Sequence, residues 1–430
     1  MPIPIPRPFR GIIPPLVTPL AARDELDKEG LGRLVERLLK AGVHGVFALG
    51  TTGEAPALSL AARRTMIQET CKLAGKRLPV LVGVTDCSVT EALAMAEFAA
   101  ESGASGVVFA CPYYFPMSPD RLLRWSEAFA EASPLPFFLY NIPSHTRNAF
   151  SLDVVRALAA HPNCLGMKDS SGDWAGFASL IEMAREFPGY TVLIGPEEGL
   201  AKALEMGAHG GVTGGGNLAP SLFVDIWRAM RDNQRATAYA LQETSLFLSR
   251  EIYAEDYIPG LKCALELAGV CSGRLTEGMT PVSGEARERI RRALVQELRQ
   301  RRGPGPQLAP QALAVAPAHV LAQRLDPRPV GGLPIAFEAA APEHQRPALA
   351  GVGGELAGDL RLADPGLADQ HDEAAAPGRG LVQSALEDLE LALAADEGAG
   401  EIGDSGPGDG EDVAAGAAKG GAIRIGLPAG

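Results

Sequence analysis

The stretch that decides the fold reads CLGMKDSSG at residues 164–172, an apolar run that stops at a lysine and continues into small and polar residues. Seven other short β-rich runs share its apolar character. The eight runs cover residues 12–17, 43–49, 79–84, 106–111, 136–140, 164–168, 190–194 and 210–213. They are almost continuously apolar rather than alternating, which is typical of strands in a sheet with both faces buried. The runs therefore predict a parallel sheet covered on both sides.

The segments between these runs carry apolar residues at helical spacing, as in residues 31–41 and 90–102. Eight strand–helix units at a spacing of about 30 residues favour a closed barrel over an open, doubly wound sheet. No GxGxxG motif follows the first run, which argues against a dinucleotide-binding fold. The predicted fold class is α/β, a (β/α)8 TIM barrel over residues 1–220.

The composition of the chain changes twice after the eighth run. Helical patterns at 222–232, 235–249, 261–268 and 285–301 predict a C-terminal helical extension, residues 221–302, packed on the barrel. Residues 303–430 contain no Cys, Met, Trp or Tyr in a background of Ala, Gly, Pro and Leu. Such a segment has little from which to build a core. We predict an acidic, low-complexity and mostly disordered tail there, with a helical pattern only at 381–394.

The charge and the cysteine content limit which partners the protein can bind and in which compartment it can work. The net charge of −13 is concentrated in residues 301–430, which hold nine basic and nineteen acidic residues; the first 300 hold 30 and 33. A nearly neutral body without a basic stripe argues against nucleic acid as a partner. No apolar run approaches the roughly 20 residues of a membrane-spanning helix, and residues 1–10 do not resemble a signal peptide. Six cysteines without a CxxC pair indicate free thiols, so we expect a cytoplasmic protein without a membrane partner.

Two polar side chains stand where consecutive predicted strands end, at the edge where β/α barrels gather catalytic groups. Lys168 ends the sixth run and Tyr140 ends the fifth. Desolvation at the end of an apolar strand lowers the pKa of a lysine and leaves free amine to attack a carbonyl. Either side chain alone is more simply a solvated flank or a half-buried aromatic residue. Together they predict a lysine–acid/base pair, with the phenol passing protons.

The second run continues into Gly50-Thr51-Thr52-Gly53, a tight turn of small residues and hydroxyls. Such a turn can offer backbone N–H groups and threonine hydroxyls to the carboxylate of a 2-keto acid. Taken alone, the same four residues are equally typical of an ordinary loop. No HxxxH motif or Cys/His cluster has ligand spacing, so neither a metal nor an organic cofactor is predicted.

The set as a whole resembles the pyruvate-dependent class I aldolases, the family of dihydrodipicolinate synthase and N-acetylneuraminate lyase. The resemblance covers about residues 10–300 and is carried by GTTGE at 50–54, PYY at 112–114, YNIP at 140–143 and GMKDSSGD at 166–173. It implies that Lys168 forms the Schiff base and Tyr140 relays protons. It implies that the turn at Gly50, Thr51 and Thr52 binds the keto acid carboxylate. It further implies a dimer-of-dimers homotetramer, with Tyr114 reaching into a neighbouring subunit's proton relay.

One departure from the synthases concerns the second substrate. Those enzymes carry an arginine two residues after the proline of YN(I/V)P, whereas this chain has His145. A histidine binds a carboxylate more weakly and cannot form the bidentate fork. In an extended segment, Arg147 would share a face with His145 only approximately. An amino-acid biosynthetic role is therefore not favoured. The lysine-feedback site of some synthases is also not matched, since its expected histidine and asparagine positions carry Arg63 and Cys87.

Acidic residues follow the seventh run directly after Gly195. Glu197 and Glu198 are similar to the Asp-Glu pair with which neuraminate lyases bind sugar hydroxyls, and two acceptor carboxylates suit a polyhydroxylated chain. A charged helix N-terminus is an equal alternative. The eighth run ends at Thr213, followed by glycine where those lyases use a serine. The remaining candidate substrate-binding residues, which follow or end the sixth, seventh and eighth runs, are Ser170, Gly195 and Thr213.

The leading hypothesis is an imine-forming lyase or aldolase that acts on pyruvate or a 2-keto-3-deoxy (sugar) acid. One alternative is a 4-hydroxy-tetrahydrodipicolinate synthase, which condenses pyruvate with aspartate semialdehyde. Another is a keto-deoxy acid dehydratase, because the same imine chemistry supports loss of water. A non-catalytic barrel that binds a keto acid, or an assembly module displayed through the acidic tail, is the alternative outside enzymology.

Overall fold

The computed structural model describes residues 2–302. The predicted tail at 303–430, with its helical pattern at 381–394, lies outside the described residues. The strands of the described part are β1 (Gly11–Ile12), β2 (Leu20–Ala22), β3 (Glu25–Leu26), β4 (Val46–Ala48), β5 (Val80–Gly83), β6 (Gly106–Ala110), β7 (Phe137–Asn141), β8 (Cys164–Asp169), β9 (Thr191–Ile194) and β10 (Gly210–Gly211).

The helices in the same range surround and extend this sheet. They are α1 (Lys28–Ala41), α2 (Leu60–Ala74), α3 (Val89–Glu101), α4 (Pro119–Ala132), α5 (Pro143–Thr146), α6 (Leu152–Ala159), α7 (Trp174–Ala184), α8 (Leu200–Met206), α9 (Pro220–Arg231), α10 (Arg235–Ile252), α11 (Tyr257–Leu267) and α12 (Gly284–Arg302). Short 3-10 turns lie at Ala55–Ala57, Glu197–Gly199 and Gly214–Asn217. Several helices begin where a Ser or Asp side chain accepts a hydrogen bond from a backbone N–H two or three residues later: at Asp27, Ser59, Ser88, Ser118, Ser151 and Asp173.

The central sheet of the described residues is a closed parallel barrel. Its eight strands follow the order β1-β10-β9-β8-β7-β6-β5-β4. A parallel bridge between Pro15 and Phe47 joins the two ends, and the Leu16 N–H donates to the Phe47 carbonyl at 2.8 Å. All eight predicted strands are present and the predicted (β/α)8 TIM barrel is confirmed. β1 is shorter than its predicted run because Pro14 and Pro15, which lack an N–H donor, follow soon after Ile12.

Side chains of the barrel strands alternate between two apolar clusters. On β7, Phe137 and Leu139 belong to the large cluster between strands and helices, while Phe138 and Tyr140 belong to the smaller cluster inside the barrel. Because neighbouring side chains on a strand point to opposite faces, this alternation directs Tyr140 into the barrel. The inward direction of Tyr140 is therefore set by the same alternation that builds the core.

The register of β8 against its neighbours depends on a glycine. Gly166 has a φ of +152°, and a Cβ there would lie 2.0 Å from the Thr191 carbonyl oxygen on β9. The pairing of β8 with β7 shifts at this point, so that Phe137 pairs with Cys164 but Phe138 pairs with Gly166. Only glycine fits this close approach. The shift brings Lys168 opposite Tyr140.

The helices that follow β10 have two different positions. α9 contacts β1, α1 and α8, and it occupies the place of the eighth barrel helix although its sequence pattern grouped it with the C-terminal extension. α10 packs against α9 and the turn at Glu197–Gly199, and α11 packs against the turn at Gly214–Asn217. Both of these turns follow barrel strands at their carboxyl ends. The C-terminal helices therefore reach the end of the barrel where the predicted catalytic residues lie.

The cysteines and the helices of residues 2–302 can be compared with the predictions on disulfides and membrane spans. The six cysteines are all free, five of them buried and Cys87 partly exposed, as predicted. None of the helices in this range has the length and apolar character needed to cross a membrane.

A buried ion pair joins the turn after β4 to α11. Glu54 has a left-handed backbone conformation (φ 56°), and its carboxylate contacts the Lys262 ammonium, with both side chains fully buried. The other carboxylate oxygen accepts from the Thr276 N–H at 2.9 Å and its hydroxyl at 2.8 Å, while Lys262 also donates to the Arg274 carbonyl at 2.6 Å. Burial lowers the pKa of Lys262, although the Glu54 carboxylate acts in the opposite direction. The last residue of the GTTGE motif is thus anchored to the C-terminal helices.

We expect the variant Lys262→Met to lose about 3–5 kcal/mol of unfolding free energy, because it leaves the Glu54 carboxylate buried without its cation. Chemical denaturation of the full chain measures this loss. The matched control is Arg23→Met, which removes the exposed Arg23–Glu277 ion pair and should leave the denaturation midpoint nearly unchanged. Equal midpoints for the two variants would contradict the anchoring role of Lys262.

Candidate active site

The structure brings the predicted lysine and tyrosine together inside the barrel. Lys168 and Tyr140 are paired in register on β8 and β7, and both side chains are buried, with 6% and 5% of their surface exposed. The Lys168 Nζ lies 3.8 Å from the centroid of the Tyr140 ring and 5.5 Å from that of Phe47. An amine and a phenol at this separation can share the proton transfers of imine chemistry.

The Tyr140 phenol is surrounded by groups that favour its ionised form. Burial by itself raises the pKa of Tyr140, but the charge of Lys168 and hydrogen bonds with Thr51, Lys168 and Ser170 outweigh it. The pKa of the phenol therefore lies below its ordinary value. A tyrosine whose proton is more easily removed is better suited to act as an acid and base near neutral pH.

The turn after β4 places its two threonines beside two different tyrosines. The Thr51 hydroxyl oxygen lies 3.5 Å from the Tyr140 hydroxyl, and the Thr52 hydroxyl oxygen lies 3.1 Å from the Tyr257 hydroxyl. Gly50 is buried against Phe47, whose ring a Cβ at position 50 would approach to 2.8 Å. The predicted carboxylate-binding turn is therefore adjacent to the lysine–tyrosine pair, through Thr51 directly.

Ser170 and Gly195 meet at the ends of β8 and β9. A Cβ at Gly195 would lie 1.8 Å from the Ser170 hydroxyl oxygen, so the glycine makes room for that side chain. The Gly195 N–H donates to the Asp169 carbonyl at 2.7 Å. Ser170 is also among the groups that lower the pKa of Tyr140. Both predicted residues thus belong to the surroundings of the lysine–tyrosine pair.

Thr213 is fully buried beyond the end of β10. Its hydroxyl oxygen has no hydrogen-bond partner among the described residues. The position after the eighth strand agrees with the sequence analysis, but no contact joins this hydroxyl to Lys168 or Tyr140 within residues 2–302.

The segment after β7 is a short helix and not the extended chain that we predicted. His145 lies on α5, is exposed, and its Nδ1 is 3.0 Å from the Ser144 hydroxyl oxygen. Arg147 caps this helix in a left-handed conformation with φ 56°. Because Arg147 has this left-handed backbone, the approximate shared face with His145 that we expected of an extended segment does not apply. Partial desolvation lowers the pKa of His145, and the nearby Lys168 ammonium lowers it further.

Glu197 is buried, and its carboxylate accepts three hydrogen bonds from the protein itself. One carboxylate oxygen accepts from the Ser249 and Tyr253 hydroxyls, each at 3.0 Å, and the other accepts from the Gly215 N–H. Burial raises the pKa of Glu197 to about 7, and the neighbouring Glu198 adds to the shift. Ser249 on α10, Tyr253 directly after α10 and the Gly215 N–H thus occupy much of the carboxylate that we predicted to bind sugar hydroxyls. Glu198 is exposed and remains accessible.

Tyr114 lies on the surface of the single chain. Its ring is 75% exposed and packs edge-on against Phe115, with centroids 4.9 Å apart. It has no contact with Tyr140 within the described part of the chain. Any contribution to a proton relay therefore requires a second subunit, as the resemblance implied.

The pair Asn141–Asp169 was missed by the sequence analysis, although each residue directly follows a predicted catalytic residue. The Asn141 side-chain amide donates to one Asp169 carboxylate oxygen at 2.8 Å, and its amide oxygen accepts from the Phe150 N–H at 3.3 Å. The other Asp169 oxygen accepts from the N–H and hydroxyl of Ser171. Burial raises the pKa of Asp169 despite these bonds. This clamp fixes β7 against β8 one residue beyond Tyr140 and Lys168.

A family model and several known proteins match this chain. The family model described as the dihydrodipicolinate synthetase family matches residues 8–297. The chain belongs to that family. The putative 2-dehydro-3-deoxy-D-gluconate aldolase YagE of Escherichia coli is 34% identical over 265 residues, covering 61% of this chain and 87% of YagE. A 4-hydroxy-tetrahydrodipicolinate synthase of Methanospirillum hungatei is 30% identical over 288 residues, covering 66% of this chain and 98% of its own.

Solved structures of the dihydrodipicolinate synthetase family agree with the fold. The dihydrodipicolinate synthase of Bacteroides thetaiotaomicron is 41% identical with a TM-score of 0.66, and the match covers 68% of this chain and 100% of that one. YagE in complex with pyruvate is 31% identical with a TM-score of 0.64, covering 67% and 98%. Membership of this family confirms the predicted enzyme class, an imine-forming lyase that acts on a 2-keto acid.

The Asn141–Asp169 clamp can be tested by exchanging its two side chains. Asn141→Asp alone places two carboxylates together, and Asp169→Asn alone leaves one of its hydrogen bonds without a suitable partner. Each single variant should lose about 1–3 kcal/mol of unfolding free energy and form imine more slowly. The double variant N141D/D169N reverses the donor and keeps the bonds to Phe150 and Ser171, so it should recover most of both properties. Failure of the exchange to recover either property would refute the clamp.

Proposed function

We propose that this protein is a Schiff-base aldolase that interconverts a hydroxylated 2-keto-3-deoxy acid with pyruvate and an aldehyde. The observation that carries the proposal is the buried Lys168 amine beside the Tyr140 phenol, opposite each other on neighbouring strands. The Lys168 Nζ attacks the C2 carbonyl, and loss of water gives a protonated imine. That imine draws electrons from the C3–C4 bond. Tyr140 takes the proton of the C4 hydroxyl as this bond breaks.

The reaction releases its two products, the aldehyde and pyruvate, in sequence. Bond cleavage releases the aldehyde and leaves an enamine on Lys168. Protonation at C3 and hydrolysis of the imine then return pyruvate and the free lysine. In this scheme Thr51 and Thr52, with the backbone of Gly50, hold the C1 carboxylate, and Ser170 supports the Tyr140 hydroxyl. We propose that Gly195 and Glu198 contact the rest of the substrate, and that the Thr213 hydroxyl, which is unpaired within residues 2–302, can donate to it.

A hydroxylated aldehyde is favoured over aspartate semialdehyde by the residue at the end of β7. His145 is exposed on α5 and offers no bidentate fork for a second carboxylate, and Arg147 lies after the end of this helix. A relative named as a putative 2-dehydro-3-deoxy-D-gluconate aldolase supports the same substrate class. The synthase reaction is the competing outcome, because relatives at 30% identity carry that name.

We also propose that the protein works in the cytoplasm as a homotetramer. The exposed ring of Tyr114, together with exposed Tyr113 and Phe115, gives an aromatic surface suited to burial against another subunit. Tyr114 would then complete the proton relay of its neighbour.

Imine formation can be trapped directly. Borohydride reduction in the presence of pyruvate should attach the three-carbon acid to Lys168, as mapped by peptide mass spectrometry. Lys168→Ala should abolish the adduct. Lys202→Ala is the matched control, because Lys202 lies over the Trp174 ring and should not affect trapping. If the wild-type protein gives no adduct on Lys168, the proposed function is wrong.

Substrate choice is tested by His145→Arg. The wild-type protein should cleave a 2-keto-3-deoxy sugar acid and turn over aspartate semialdehyde poorly in coupled assays. The arginine should raise the efficiency with aspartate semialdehyde by about tenfold or more, since it restores a charge-assisted hydrogen bond. Arg147→Gln should change neither activity. Efficient use of the semialdehyde by the wild-type protein would establish the synthase instead.

A further inference from the structure

A tyrosine from the C-terminal helices enters the carboxylate-binding part of the site. Tyr257 is the first residue of α11, and its hydroxyl lies 3.1 Å from the Thr52 hydroxyl oxygen. The two residues are 205 positions apart in the chain, and no motif marks Tyr257. This contact therefore joins the helical extension to the turn predicted to hold the keto acid.

The turn after β10 is shaped around the same hydroxyl. A Cβ at Gly214 would lie 1.7 Å from the Tyr257 hydroxyl oxygen and 2.8 Å from the ring carbon that carries it. Any side chain at position 214 would displace the phenol. The glycine therefore makes room for Tyr257 to reach Thr52, and this observation is independent of the hydrogen bond.

The Tyr257 ring packs against a neighbouring aromatic ring, while its hydroxyl contacts Thr52. The Tyr253 ring packs edge-on against it with centroids 4.8 Å apart. The Tyr253 hydroxyl is directed to the Glu197 carboxylate, which Ser249 and the Gly215 N–H also contact. The Tyr253 hydroxyl is therefore bonded away from Thr52, and Tyr253 contacts Tyr257 through its ring.

The direction of the Tyr257–Thr52 hydrogen bond decides what Thr52 can do. A threonine hydroxyl has one proton and can accept from another group at the same time. Burial raises the pKa of Tyr257, so its phenol stays protonated and is able to donate. If Tyr257 donates to Thr52, the Thr52 proton is free to point at a carboxylate, and the two bonds strengthen each other.

We propose that Tyr257 is a positioning residue, which donates to Thr52 and directs the Thr52 hydroxyl proton at the carboxylate of the bound 2-keto acid. The proposal rests on the proposed function, because it assigns a role within the same site. The adjacent Thr51 is instead next to the Tyr140 hydroxyl, at 3.5 Å. Thr51 therefore contacts the proton relay as well as the carboxylate, whereas the Tyr257 hydroxyl contacts Thr52.

The test is the pyruvate concentration dependence of borohydride trapping on Lys168. Tyr257→Phe keeps the ring stack but removes the donor. It should raise the half-saturating pyruvate concentration by about 3- to 10-fold, the worth of one hydrogen bond, and leave the rate at saturation unchanged. Gly214→Ala should have the same effect with the phenol intact, because the added methyl group displaces it. A merely structural defect would lower the saturated rate as well.

Two further variants make the result decisive. Tyr253→Phe removes a hydroxyl from the same ring stack but not from Thr52, so it should leave the half-saturating concentration unchanged. In a Thr52→Val background, Tyr257→Phe should have no additional effect. The proposal is overturned if Tyr253→Phe weakens pyruvate binding as much as Tyr257→Phe, or if the effect of Tyr257→Phe persists without the Thr52 hydroxyl. Absence of trapping in the wild-type protein would instead reject the proposed function.

Discussion

The pairing of β7 with β8 is the constraint on which the site depends. Backbone hydrogen bonds set Tyr140 opposite Lys168, and the register shift at Gly166 puts the two side chains on the inner face of the barrel. The Asn141–Asp169 hydrogen bond holds the same two strands from the outer face. An amine and a phenol can exchange protons only at close range, so the chemistry follows from a strand register that a one-residue slip would destroy.

The C-terminal helices are part of the site because they hold the turn after β4 from two sides. The buried Glu54–Lys262 ion pair fixes the end of that turn, and the Tyr257–Thr52 hydrogen bond fixes its middle. Both partners come from α11. A turn rich in glycine and threonine has little rigidity of its own, so these contacts order the turn that we propose binds the carboxylate.

Glu197 illustrates how the same residue type can serve structure in place of substrate. It follows a barrel strand at the end where sites are built, and acidic residues there can bind hydroxyl groups of a sugar. In this fold, α10 brings the Ser249 and Tyr253 hydroxyls to its carboxylate. Three hydrogen bonds from the protein thus reach its buried carboxylate, whereas Glu198 is exposed.

The sequence by itself determined the eight strands, the barrel, and the positions of Lys168, Tyr140 and the Thr51–Thr52 turn, since apolar runs and the residues that end them are local properties of the chain. Only the tertiary structure decided the contact of Tyr257 with Thr52, the burial of Glu197 and the anchoring of Glu54. Each of these depends on a contact between residues more than 50 positions apart. The short helix that holds His145 was also beyond the sequence pattern, because its four residues are too few to show a period.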